Sequence, residues 1–237
     1  MSISPFIGEF VGTALLILLG NAVVANVVLN KTKGNNSGWI VICFGWAMAV
    51  FVGVYASNHL GGQGHLNPAV TIAVASFTDF GWENVFPYII AQFAGAFVGA
   101  ILVWIGYKQH FDETVDGDSK LAVFCTAPAI RNYKYNLITE IIGTFVLVFA
   151  ASLLSKPEIK IGTLEALPVG LLILAIGLSL GGPTGYAINP ARDLAPRIAH
   201  FILPIRNKRN SDWSYSWVPV IGPIIGAVLA GWVFKLL

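Results

Sequence analysis

The sequence predicts an all-α membrane protein with six transmembrane helices and two re-entrant half-helices, related as an inverted repeat. Three observations carry that prediction. Hydrophobic residues make up 56% of the chain and charged ones 11%, a mix that suits a protein dissolved in lipid rather than a soluble domain. Apolar runs at roughly 6–29, 39–60, 85–107, 136–154, 164–181 and 217–236 each approach the about 20 residues a helix needs to cross a bilayer. Finally, "HLNPAV" (65–70) and "AINPAR" (187–192) carry one Asn-Pro-Ala triplet twice, 122 positions apart.

The first run contains no Lys or Arg before Lys31 and extends from Pro5 to Leu29, so it lacks the basic leader of a signal peptide and reads as a span. After the second run, the stretch from Pro68 to Phe77 begins at the first triplet and is about half a span long. The stretch from Pro190 to His200 does the same at the second triplet. Each reaches only the middle of the membrane. The longest polar loop, 108–135, separates the third and fourth runs.

The duplication extends beyond the triplets. Glu9-Phe-Val-Gly-Thr13 matches Glu140-Ile-Ile-Gly-Thr144 at an offset of 131, and Ala94-Gly95-Ala96 matches Ile225-Gly226-Ala227 at the same offset. Residues 1–237 therefore read as a single domain built from a first repeat, 1–107, and a second, 136–237. Each repeat holds three spans, an odd number, so the second enters the membrane from the opposite side and the half-helices meet head to head. Charge does not orient this layout simply. The side of the termini carries Lys156, Lys160 and Lys235, whereas the other side carries Lys31, Lys33, Lys108, Lys120, Arg131, Lys134, Arg197, Arg206, Lys208 and Arg209. A positive-inside count opposes cytoplasmic termini.

Asn is a strong helix N-cap, and Pro suits the first helical turn because its missing N–H would be unpaired there anyway. Asn67-Pro68 and Asn189-Pro190 are thus helix starts, and in hydrocarbon such broken helices survive only inside protein or beside a wet cavity. Two facing N-termini place two positive dipole ends at the midplane, a field that repels cations and leaves neutral solutes untouched. The Asn oxygens can hold the caps while their NH2 groups donate into the lumen. The segments Gly61–Leu66 and Gly182–Ile188 would present backbone carbonyls beside them, with Gly61, Gly62, Gly64, Gly181, Gly182 and Gly185 permitting sharp backbone.

On six spans, two half-helices and the paired triplets, essentially the whole chain resembles the aquaporin family, and within it the glycerol facilitators or aquaglyceroporins. The resemblance implies an hourglass monomer with its own pore, assembled as a homotetramer, with cytoplasmic termini. It also implies a narrow ring beyond the triplets, falling here on Trp46 or its competitor Phe44, Gly177, Tyr186 and Arg192. An Arg in lipid is prohibitive, so Arg192 lines water or is paired, most simply with Asp193. Gly177 would leave width for a carbon chain, although small residues also serve helix packing. Asp193, Arg197 and Pro219-Val220 look like the glycerol-conducting pattern. Tyr186 stands where the facilitators usually have Phe, so its hydroxyl would wet or narrow the ring.

Glu9 and Glu140 sit within spans, where proton relay competes with support of the pore loops by buried acceptors. Their symmetric placement and the repelling dipoles favour support. His65 fits either a vestibule-shaping residue or a hydrogen-bonded structural one. No phosphate-cradling loop, metal cluster or nucleophile arrangement is visible, so no cofactor and no enzyme is expected. Cys43 and Cys125 give no disulfide or metal spacing, and "RNKR" (206–209) is too short a basic block for nucleic acid. The expected partners are lipid and small neutral solutes: glycerol with water, or in the alternative mainly water, dihydroxyacetone, hydrogen peroxide, urea or protonated lactic acid. A secondary transporter shares inverted repeats and broken helices, but Asn67 and Asn189 do not titrate and offer no coupling site.

Overall fold

The computed structural model describes residues 4–154 and 161–237, and among these it is all-helical, with no strand. Lys156 and Lys160 lie outside the described residues. Six helical segments are long and apolar enough to span: α1 (Pro5–Val28), α2 (Trp39–His59), α4 (Val85–Gly106, with a 3-10 turn at Trp82–Asn84), α7 (Tyr133–Ser152), α8 (Leu167–Leu180, with a 3-10 turn at Gly162–Ala166) and α10 (Val218–Lys235). The half-helices are α3 (Pro68–Phe77) and α9 (Pro190–Ile202). The loop 108–135 is more ordered than its polarity predicts, holding two short helices, α5 (Lys108–Glu113) and α6 (Gly117–Phe124). Asp116 caps α6 by accepting from the backbone N–H groups of Asp118 and Ser119, the local pattern that makes Asp a helix starter.

In lipid, helices associate through close packing rather than through loss of water, so small residues govern their contacts. α1 packs on α4 and α7 on α10, and the duplicated glycines lie at these two crossings. A Cβ on Gly95 would come within 2.2 Å of the Phe10 carbonyl oxygen, and one on Gly226 within 2.3 Å of that of Ile141. Phe10 and Ile141 are themselves one repeat apart, so the sequence duplication is a duplication of contacts. The half-helices cross between repeats: α3 packs against α10, and α9 against α4. α2 meets α8 across the pseudo-twofold.

Candidate functional site

Both Asn-Pro starts are built as the sequence predicts. Asn67 has φ −156 and ψ 117, Asn189 has φ −157 and ψ 111, and each side-chain oxygen accepts from the N–H two residues on, of Ala69 and Ala191 at 2.9 and 3.0 Å. Asn189 also accepts from Arg192 N–H at 3.2 Å. Pro68 and Pro190 occupy the first helical positions. The amide nitrogens behave differently from expectation. Asn67 Nδ2 donates to the Ile188 carbonyl and Asn189 Nδ2 to the Leu66 carbonyl, both at 2.8 Å, so one N–H of each locks the opposite loop. Only the second is left for the lumen.

The loops before the triplets are held from behind by the two carboxylates. Glu9, fully buried, accepts from the N–H groups of His65 (2.9 Å) and Leu66 (2.8 Å), from Gln92 Nε2 (2.8 Å) and from Ser57 Oγ (3.2 Å). Glu140 accepts from the N–H groups of Ala187 (3.0 Å) and Ile188 (2.8 Å) and from Thr184 Oγ1 (2.7 Å). Each hydrogen bond contributes about 0.5–1.5 kcal/mol, so the several that converge on each carboxylate are together enough to hold strained backbone. That strain is real: Leu66, Tyr186 and Ile188 have φ of 50, 38 and 43, a region that costs non-glycine residues about 1–3 kcal/mol. The glycines only partly take the sharp turns expected of them. Gly61, Gly64 and Gly185 have positive φ, whereas Gly62 and Gly181 instead leave no room for a Cβ, which would lie 2.3 Å from Ser57 Oγ and 2.5 Å from Tyr186 Cδ1 respectively.

A cavity of about 310 Å³ runs from Ser152 and Gln63 past both Asn residues to Trp46, Tyr186 and Arg192. His65 lines it, with Nδ1 3.2 Å from Thr71 Oγ1 and its ring against Phe80 and Tyr88. Trp46 is buried and faces this cavity, while Phe44 is exposed on the outer face. Arg192 does not pair with Asp193. Asp193 Oδ1 accepts from Arg197 Nε and NH2 (2.9 and 2.7 Å), and Oδ2 accepts from Thr126 N–H and Oγ1 (both 2.7 Å). Arg197 also donates to the carbonyls of Ser211, Asp212 and Thr126, so this buried pair ties α9 to the loop between α6 and α7 and the loop before α10. Arg192 is left to stack on Trp46, its guanidinium carbon 4.0 Å from a ring centroid, with one long bond of 3.5 Å to the Phe124 carbonyl.

Tyr186 departs from expectation. Its hydroxyl is buried, without a partner of regular geometry among the described residues, and turned from the cavity into a notch shared with Gly177 and the Cys43 thiol. A Cβ on Gly177 would lie 2.9 Å from Tyr186 Cζ and 3.0 Å from its oxygen. The space freed by Gly177 is therefore filled by the phenol and does not open directly on the cavity. Sequence reasoning missed Gln92, which bridges Glu9 and Thr71 Oγ1, and Thr126. A Gln inside an apolar span was the available signal for the first; the second, in the loop between α6 and α7, carried none.

Comparison with known proteins is consistent with this arrangement. The family described as "Major intrinsic protein" matches residues 2–234. A probable glycerol uptake facilitator protein of Thermotoga maritima is 58% identical over 99% of both chains, and a glycerol uptake facilitator protein of Streptococcus pneumoniae is 57% identical over 97% of both. The X-ray structure of the aquaglyceroporin from Plasmodium falciparum superposes with a TM-score of 0.83 at 32% identity, covering 97% of this chain and 94% of that one. The matched length, the paired triplets and the crossed half-helices together make this chain a multi-pass membrane channel of the major intrinsic protein family.

Proposed function

We propose that this protein is a passive channel for glycerol and other small uncharged solutes, also passing water, in a bacterial cell (inner) membrane. The observation that carries the reading is the cavity joining two head-to-head, cross-bonded helix N-termini to the Trp46, Tyr186 and Arg192 cluster. Asn67 and Asn189, which cap α3 and α9 by accepting from Ala69 and Ala191 N–H, supply the midplane donors, and Glu9, Glu140 and His65 hold the pore loops. Trp46, Tyr186 and Arg192 form the filter, with Gly177 behind Tyr186 giving its ring room: aromatic surface meets the carbon side of a polyol while the guanidinium binds its hydroxyls. The Arg192–Trp46 contact does not argue against passage. Such stacking contributes on the order of 2 kcal/mol when desolvated, and an entering hydroxyl supplies Arg192 with a replacement.

The assembly is a homotetramer with cytoplasmic termini, each monomer carrying its own pore. On the positive-rich face several charges belong to the fold: Lys120 is fully buried with its ammonium 2.5 Å from the Arg206 carbonyl, and Arg197 is fully buried against Asp193. Proteoliposomes shifted into hyperosmotic glycerol test the reading. They should shrink and re-swell faster than empty vesicles; shrinkage without faster re-swelling would reduce the protein to a water pore.

A further inference from the structure

The filter ring rests in a slot. Gly177 and Gly181 lie one helical turn apart at the end of α8, and Tyr186 lies across both: a Cβ on Gly181 would sit 2.5 Å from its Cδ1, and one on Gly177 2.9 Å from its Cζ. α2 closes the other side, with Trp39, Cys43 and Trp46 on one face at helical spacing. Trp39 meets the Tyr186 ring edge-on at 5.8 Å, and its Nε1–H donates to the Gly177 carbonyl at 3.1 Å, fastening α2 to α8 over the slot. Cys43 Sγ and the Tyr186 hydroxyl both come within 3.0 Å of where a Gly177 Cβ would be. Among the described residues that hydroxyl makes no hydrogen bond of regular geometry, with only the Cys43 thiol beside it, so the walls of the slot fix the ring.

We infer that Trp39 and Cys43 are positioning residues for Tyr186, and that the slot they form with Gly177 and Gly181 sets the size of solute admitted. Filling the slot drives the ring toward Trp46 and Arg192, the side on which the cavity lies. Loosening it lets the ring withdraw. This inference rests on the reading that these three side chains form the constriction.

The test measures water, urea, glycerol and a five-carbon polyol by stopped-flow light scattering on proteoliposomes, each flux normalised to protein recovered. The unaltered protein's solute series reads the channel function by itself. The shift in size cut-off between it and Cys43→Leu reads the slot, whichever solute marks the cut-off. Cys43→Leu should lower the flux of the largest admitted solute about tenfold relative to water, equivalent to one decade of rate; Cys43→Ser, of similar size, should leave the ratio unchanged. Adding Tyr186→Ala to Cys43→Leu should restore the larger solute, a rescue that general damage to the fold would not give. Trp39→Ala should raise five-carbon polyol flux relative to glycerol. Should Cys43→Leu not be recovered, Gly177→Ala fills the same notch and carries the same expectation. An unchanged cut-off, or a lowered one that Tyr186→Ala does not reverse, overturns the assignment.

Discussion

At the residue scale, two side chains of the cluster behave as their surroundings dictate. Arg192 has no carboxylate partner among the described residues, because Asp193 is fully engaged by Arg197 and Thr126. Its charge therefore acts on the cavity rather than being cancelled next door. Replacing Arg192 with Val should open a cation or proton leak measurable in a voltage-clamped bilayer while neutral flux persists, and sizeable current through the unaltered protein would contradict the mechanism. Among the described residues the buried Tyr186 hydroxyl has no hydrogen-bond partner of regular geometry, only the Cys43 thiol beside it, and an unsatisfied buried group costs about 1–3 kcal/mol. Tyr186→Phe should thus leave the glycerol-to-water permeability ratio unchanged and leave thermal stability equal or slightly higher. A rise in the ratio would mean that the hydroxyl reaches the lumen.

At the scale of elements, each pore loop is a strained strip fastened by one buried carboxylate. Glu140 bonds the N–H groups of Ala187 and Ile188, and the same Ile188 supplies the carbonyl that receives Asn67 Nδ2. Loop backing and triplet locking are therefore coupled through one residue. In Glu140→Gln the amide keeps one acceptor oxygen and sets an NH2 against a backbone donor, costing about 1–3 kcal/mol. Solute flux and thermal stability in detergent should both fall, with Glu9→Gln giving a parallel loss through His65 and Leu66. If Glu140→Gln retained full stability but lost pH-dependent flux, the carboxylate would be a proton-handling group and the supporting role would be wrong.

For the molecule as a whole, the crossing of the half-helices makes the two repeats interdependent. α3 leans on α10 and α9 on α4, so neither repeat alone can bury its half-helix, and a half-helix facing lipid would leave backbone groups unpaired. Cutting the chain between α5 and α6, beside the exposed Val115, should yield fragments 1–115 and 116–237 that conduct water only when produced together. Water flux from either fragment alone, above that of empty liposomes, would show that one repeat builds a pore by itself.

The sequence by itself determined the spans, the half-helix starts and the inverted duplication, because each rests on local chemistry: run length against bilayer thickness, Asn and Pro at a helix start, and an odd number of spans per repeat. It also singled out Glu9 and Glu140, since a carboxylate in an apolar run requires a partner. Only the tertiary structure decided what those residues touch. That the Asn amides lock opposite loops, that Asp193 takes Arg197 and leaves Arg192 free, and that Tyr186 lies over Gly177 with its hydroxyl away from the cavity all depend on contacts between residues far apart in the chain. Cys43 and Tyr186 share a notch across 143 positions, and no periodicity or spacing encodes such a meeting, because helix packing in three dimensions, and not the order of residues along the chain, brings them together.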